Sequence, residues 1–404
     1  MKVWQWISLC TAIVLLAALP AGNALGASVS GRASTVFEWY DDAQEDTATP
    51  FYQYLQLNVR DIDGDGLNFR GYGRFADDLS DEVDVKSRLY FAYLEKKNIL
   101  NNLDFKLGRQ FISTTAGASL MDGLYLDYNG LGPLSVAVFG GGDVSYYEGY
   151  NAKDVIGGVE VSGKFFDDLH VSLSYLQKWA NGDLGNELFG FDFDYDYDNM
   201  LSIYSETQFD YLSNCVSYFT FGAQYHKDSR WTLRAEYLYS LPVFSATSIY
   251  SVFAASEYEE AMLEYTYQLD VGLRAFGRYT REMYEDYSDA NVYELGLEKI
   301  RTNRCAGYIT GVYRDDEDGQ DLRGFKVYGS YLLTSMFQAG LGVNLDVLER
   351  RLDDDADETT AKRYWADLTA YITKKVNVEA KVERVESDLY DYYNRGRVRL
   401  NILF

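Results

Sequence analysis

The feature that most restricts this chain is a period of two. From residue 28 to the last residue, segments of roughly ten to fifteen residues alternate apolar and polar side chains, with turn residues between them. Leu55, Leu57 and Val59 alternate with Gln56, Asn58 and Arg60; Leu67, Phe69, Gly71 and Phe75 alternate with Asn68, Arg70, Tyr72 and Arg74. At the other end Val398, Leu400, Ile402 and Phe404 alternate with Arg397, Arg399 and Asn401. Successive side chains of a strand point to opposite faces, so each segment reads as a strand with one apolar and one charged face. A soluble sandwich would alternate in the same way, but its strands average nearer five or six residues. About ten tilted residues are needed to cross hydrocarbon, and these segments are that long. The expected fold class is therefore all-β, a closed antiparallel transmembrane β-barrel with its apolar face to lipid and its polar face to the lumen.

Composition agrees where it bears on strands. With 37 Tyr, 22 Phe and 34 Gly but only 4 Pro, the chain suits many long ladders in which a missing N–H is costly. The segments number about 20. Connections alternate between short turns, expected to be periplasmic, and longer acidic outer loops, which hold more than half of the 62 acidic residues. Both chain ends should lie on one side, so the count must be even. Residues 200–211 look strand-like, yet one extra crossing would make 21, and 181–214 is accordingly expected to be a single extended outer or constriction loop.

Residues 1–26 read as a signal peptide: Lys2, the apolar run Ile7 to Leu19, then small residues ending at Gly26. Residues 27–404 form the expected barrel, in the outer membrane of a Gram-negative bacterium. No later apolar window is long enough for a spanning helix. A net charge of −25 argues against nucleic-acid binding. Only His170 and His226 are present, no nucleophile–base set is legible, and an enzyme is not expected. Cys215 and Cys305 fall at opposite rims and should be free thiols.

The polar faces supply the candidate site. Arg32, Arg60, Arg70, Arg74, Lys86, Arg88, Lys106, Arg395, Arg397 and Arg399 fall on the first five strands and the last, which closure would join into one basic wall. Glu260, Glu264, Glu294 and Glu298 share the inward face farther round, with Arg274 and Arg278 between them. A basic wall facing acidic groups across a lumen would create a transverse field that selects solutes. Asp192, Asp194, Asp196 and Asp198 alternate with aromatics inside 181–214 and could line a constriction. Asp61, Asp63 and Asp65 match the first half of a calcium loop, but Tyr72 stands where the bidentate glutamate belongs. Divalent cations could gather at acidic stretches such as Asp41 to Asp46, Asp315 to Asp318 and Asp353 to Glu358, beside lipopolysaccharide. No other cofactor is expected.

Leu107-Gly108-Arg109-Gln110, followed by Asp122-Gly123-Leu124, resembles a pattern in several bacterial porin-like families. The stretch from Asp61 to Asp78, with Gly71-Tyr72-Gly73-Arg74, is similar to porin-like channels of metal-reducing bacteria. The likeness covers about residues 61–124, and the final Phe404 resembles the assembly signal of outer-membrane barrels. The resemblance implies a channel for passive diffusion of small hydrophilic or charged solutes. Some relatives of that second kind instead sheath a multihaem cytochrome in an electron conduit. This chain has no Cys-x-x-Cys-His, so any haem would belong to a periplasmic partner. Oligomeric state is not legible in the residues.

Overall fold

The computed structural model describes residues 27–41, 46–145, 151–166, 168–228, 230–242, 256–286, 288–317, 321–347, 360–387 and 390–404. The signal-peptide reading and the acidic stretch Asp353 to Glu358 lie outside them, as do Asp42, Glu45 and Asp318. All regular structure among the described residues is strand. The first third comprises β1 (Ser28–Asp41), the short β2 (Thr47–Ala48), β3 (Pro50–Arg60), β4 (Asn68–Asp78), β5 (Arg88–Ile99), β6 (Leu103–Thr114), β7 (Gly117–Leu131) and β8 (Leu134–Asp143). The middle comprises β9 (Val155–Phe165), β10 (Leu169–Ala180), β11 (Asp183–Tyr197), β12 (Leu201–Asp210), β13 (Cys215–Tyr225), β14 (Trp231–Ser240), β15 (Tyr258–Asp270) and β16 (Leu273–Tyr284). The last part comprises β17 (Ala290–Lys299), β18 (Cys305–Asp316), β19 (Leu322–Leu332), β20 (Phe337–Val347), β21 (Thr360–Thr373), β22 (Val376–Ser387) and β23 (Tyr390–Leu403).

Every neighbouring pair is antiparallel, and the ring closes where β1 meets both β3 and β23: Thr35 stands opposite Gln53 on one side and Leu400 on the other. Leaving out β2, which pairs only with the end of β1, the barrel has 22 strands. The twenty expected strands are all present. The difference is the segment 181–214, which is not a loop: β11 and β12 are wall strands, paired with β10 and β13 on their outer sides. Two added crossings keep the count even, which is why parity alone did not reveal them. Their turns carry a local signal. Asn181-Gly182 has φ of 56° and 92°, and Asp198-Asn199 has φ of 50° and 51°. Positive φ at both central residues is the two-residue hairpin geometry that matches strand twist, favoured by Asn, Asp and Gly.

The barrel is apolar outside and polar inside. Leu295 and Leu341, both outward, are 71% and 69% exposed. Outward aromatic rows border this apolar band. Toward the short-turn end Trp231 lies 5.5 Å from Tyr225 and 6.2 Å from Tyr265 between ring centroids. Toward the other end Tyr293 lies 5.3 Å from Tyr279 and 6.3 Å from Tyr313.

One hairpin leaves the wall. β5 pairs with β6 only as far as Ala92↔Arg109, and β8 pairs with β7 only as far as Met121↔Asp143. Beyond those points β6 and β7 continue as a pair up to Thr114↔Gly117, with one further backbone bond on the β8 side, from Val144 N to the Leu120 carbonyl. Gly108 sits at the base with φ 124°, where a side chain would also strike the Ala92 carbonyl. Freed on both flanks, the hairpin leans into the lumen.

Candidate functional site

The interior surface divides into arcs that differ in how their charges are satisfied. Register places Arg399 beside Val36, Asn401 beside Ser34, and Arg74 beside Tyr54. Residues opposite each other on paired strands share a face, so the basic side chains of β23, β1, β3 and β4 line one continuous strip. Arg32 donates to the Asn401 side-chain oxygen (2.8 Å) and to Ser34 Oγ (3.1 Å), both neutral. Arg74 lies 5.0 Å from the Tyr52 ring centroid and donates to the Lys86 carbonyl at 3.0 Å. Among the described residues, Arg32, Arg74, Arg397 and Arg399 have no carboxylate within 4 Å, and the Nε atoms of Arg74 and Arg399 are buried without an acceptor. Tyrosines fill the strip: Tyr72 stacks 6.3 Å from Tyr54 and 4.8 Å from Tyr90.

Not every expected member of the wall contributes free charge. Arg70 is held by Glu95 at 2.6 Å and Arg395 by Glu38 at 3.1 Å. Lys106 lies over the Tyr125 ring at 5.0 Å. Arg60 ends β3 at the short-turn mouth, and Arg88 stands opposite Arg74. Lys86 is a correction: β5 begins at Arg88, so Lys86 belongs to the preceding connection, 3.5 Å from Asp84.

Three of the four glutamates expected to face this wall are instead ion-paired where they stand, with Arg274 and Arg278. Arg278 bridges Glu264 (Nε–Oε2 2.8 Å) and Glu294 (Nη1–Oε2 2.9 Å), because Glu264↔Arg278 and Arg278↔Glu294 are successive cross-strand neighbours. Arg274 donates to Glu298 at 2.7 Å, and Glu260 accepts from Tyr258 at 2.7 Å. Arg314 repeats the pattern with Glu282 (3.0 Å) and Asp316 (2.7 Å).

Surplus carboxylates lie on β7 to β12. Asp192 and Asp194 face inward from β11, as register with Ser172 and His170 shows, and Glu206 stands opposite Asp192. Glu160 faces Ser174, and Asp127 faces Ala137 beside it. The His170 ring lies 3.9 Å from Asp192 and is a cation only when protonated. Asp192, Asp194 and Asp196 therefore do face the lumen, but from the wall and not from a constriction loop, while Asp198 is a turn residue. Sequence reasoning misses Glu206 because it lies in the stretch read as a loop, and Asp127 and Glu160 because only the register of β7, β8 and β9 brings them together.

The element that does narrow the lumen is the β6–β7 hairpin. Its tip residue Ala116 is fully buried. Ala116 N donates to Ser174 Oγ (2.7 Å), Gln208 Nε2 donates to the Ala116 carbonyl (2.8 Å), and Lys178 Nζ donates to the Ala118 carbonyl (3.1 Å). Ile112, Met121, Phe139, Ile156 and Leu176 pack beneath it. Burying each large side chain contributes about 1.5–3 kcal/mol against roughly 1 kcal/mol per hydrogen bond, so the apolar cluster holds the hairpin and the polar contacts aim it. Gly190 is the floor under the tip, where any Cβ would overlap the Ala116 amide. Residues 110–121 carry no charge, but neither do residues 242–256, so the sequence alone does not single the hairpin out. At the base, Arg109 grips Asp122 through two hydrogen bonds of 2.8 and 2.7 Å, and Gln110 donates to the Gly123 carbonyl at 3.1 Å. The stretch that carried the family likeness is thus the root of the hairpin.

Comparison with known proteins adds the fold. No protein-family model matches the chain, and no curated protein matches it. The P pilus usher (PapC) translocation pore is similar over 93% of this chain and 99% of its own, with a TM-score of 0.52 and 8% identity. Pseudomonas aeruginosa OpdO is similar over 94% and 97%, with a TM-score of 0.48 and 11% identity, and OpdQ of the same organism over 94% and 98%, with 0.45 and 9%. At such identities the likeness is one of architecture, a closed antiparallel barrel. The resemblance to channels of metal-reducing bacteria finds no support in these structures.

The calcium candidate resolves as a turn. Asp63 Oδ1 accepts from the amides of Asp65 and Leu67 (both 2.9 Å), Asp61 Oδ1 from Gly66 (2.9 Å), and Lys96 Nζ reaches Asp63 at 2.8 Å and Asp65 at 2.7 Å. An ammonium thus occupies the place a cation would take, and it holds the Asp63 carboxyl well below the usual carboxylate range, with the two amides assisting. Among the described residues no group of three or more His, Cys, Asp or Glu side chains is arranged to hold a metal. Cys215 and Cys305 are free and begin strands at opposite ends of the barrel.

Proposed function

We propose that this chain is an outer-membrane channel, a water-filled barrel through which small hydrophilic solutes, charged ones included, diffuse passively. The observation that carries the reading is the reversal of polarity across a closed wall: exposed leucines bordered by aromatic rows outside, arginines and carboxylates inside. In water such an exterior would be an aggregation surface, whereas in a bilayer it is the expected lipid contact. Residues 1–26 would direct export, the short turns would face the periplasm, and Phe404 would act in assembly. Phe404 already pairs with Gly31 through two backbone hydrogen bonds of 3.1 Å, sealing the ring beside the terminus. The acidic outer rim would meet lipopolysaccharide and its divalent cations.

The cytochrome-sheath reading gains nothing from this geometry, because the docked hairpin occupies interior room that an enclosed partner would need. Catalysis plays no part in the reading. The purified barrel, reconstituted alone into planar bilayers, should give discrete ohmic conductance steps. A detergent-purified, folded barrel that inserts and passes no current would overturn the channel.

A further inference from the structure

The arginine strip ends in a cavity. At the short-turn mouth, a space of about 570 Å³ opens between Arg32, Lys374, Lys375, Glu379, Asn377 and Asn401. That size lies within the range of small-molecule sites. Its charge balance is uneven. Arg32, Lys374 and Lys375 contribute three cations, none with a carboxylate within 4 Å among the described residues, while Glu379 is the one carboxylate in the lining. Two positive charges are left over.

Arg32 is also held in a defined pose without being neutralised. Asn401, only 5% exposed, takes the Arg32 Nη2 hydrogen bond on its side-chain oxygen at 2.8 Å and the Ser34 hydroxyl on the same oxygen at 2.7 Å. Its amide nitrogen donates to Asn377 at 2.7 Å and to Glu379 at 3.0 Å. One buried amide therefore occupies the acid and orients the guanidinium, and the positive charge stays available. Arg399 and Arg397 lie above on the same face of β23 and would lead an anion toward it.

We infer that this mouth is a binding site for a small organic dianion, one carrying two negative charges on carboxylate or phosphate oxygens. Arg32 would take one charged end from the wall, and the Lys374–Lys375 turn would take the other. The polar amide and hydroxyl lining favours a hydroxylated or short-chain body over an apolar one. The inference rests on the lumen being the solvent passage proposed above, but its test does not depend on conductance.

Titration calorimetry of the whole barrel in detergent, with succinate, glycerol 3-phosphate and acetate as probes, tests it. Succinate should bind about tenfold more tightly than acetate, since a second charge-assisted contact is worth roughly that much. Glycerol 3-phosphate against succinate tells which oxyanion is preferred, and a preference for either supports the site. Lys374→Gln with Lys375→Gln, in an exposed turn, should erase the advantage over acetate, and Arg32→Gln should do the same. Asn401→Ala keeps every charge and should weaken succinate more than acetate; gel migration with and without boiling confirms that each variant is folded. Equal binding of succinate and acetate by the wild type, or unchanged succinate binding in the lysine double variant, would overturn the site. A conducting barrel with no dianion preference loses only the site; a dianion-binding barrel that passes no current loses only the channel.

Discussion

Arginines on two sides of this lumen have the same chemistry and opposite consequences. From β14 to β18, Arg234, Arg274, Arg278 and Arg314 each lie on a carboxylate, at distances between 2.5 and 3.0 Å. On β1 and β4, Arg32 and Arg74 meet an amide, a hydroxyl, a carbonyl and a ring, and Arg397 and Arg399 on β23 have no carboxylate within 4 Å among the described residues. The first arc is ion-paired, with one carboxylate in excess at Arg278 and another at Arg314. The second keeps arginines with no carboxylate within 4 Å among the described residues. Register decides between them: a cross-strand carboxylate stands beside Arg278 on both sides, whereas Val36 and Glu379 flank Arg399, and Glu379 is engaged by Asn401. Counting arginines on a polar face therefore says little about the field in the lumen until their neighbours are known.

That contrast can be broken outright. Replacing Arg74, Arg397 and Arg399 together with Glu should invert the preference for anions, with the permeability ratio falling by about tenfold or more in a reversal-potential measurement under a salt gradient. An unmoved reversal potential would remove the strip from selectivity. Gly190→Leu should expel the hairpin tip at a cost of about 1–3 kcal/mol and raise single-channel conductance severalfold without changing its sign of selectivity. If conductance stays the same, the hairpin does not limit flow. Glu264→Gln with Glu294→Gln should make the paired arc resemble the unpaired one, raising anion preference by about twofold while lowering stability by no more than ~1 kcal/mol for partly exposed groups.

Removing a complete pair sharpens the comparison from the other side. Arg274→Gln with Glu298→Gln deletes two opposite charges that already cancel, so the reversal potential should not move. A shift would show that the paired arc is felt by solutes after all. The smallest effect should come from outside the lumen. Asp63 is held ionised in the turn by Lys96, so its folded value lies below its unfolded one. Its contribution is present above the usual carboxylate range near 4 and is lost as pH falls through and below that range. Protection of the Asp65 and Leu67 amides, their exchange measured against the intrinsic rate at each pH, should fall on acidification while selectivity stays with the arcs. Protection that does not change with pH would contradict this.

Much of this was legible from residue order. Alternation in Arg397 to Phe404 places four side chains inward and four outward without any structure, and the same argument located twenty strands and the basic face. β11 and β12 were hidden by parity: 200–211 counted alone makes the total odd, so 181–214 reads as one loop, although the alternation of acids and aromatics in Phe191 to Asp198 is that of a wall strand with a charged lumen face. The paired acids Glu264 and Glu294 were found but misread, since pairing depends on register between strands. The hairpin was hidden for another reason: its departure is set by where the β5 and β8 ladders stop, a property of neighbours and not of residues 110–121 themselves.

The inward lean of β6 and β7 also changes what surrounds the protein. Above Arg109 and Asp122 the cylinder loses part of its rim, and the outward-facing charged pair marks how high the apolar strip reaches there. In the bilayer proposed for this barrel, lipid beside that sector would meet a shorter hydrocarbon-compatible surface than lipid on the far side. A bilayer accommodates such unevenness by thinning locally or by letting the cylinder tilt, each at a modest cost per ångström of mismatch. The hairpin that narrows the lumen would thereby also set how the barrel stands in that bilayer.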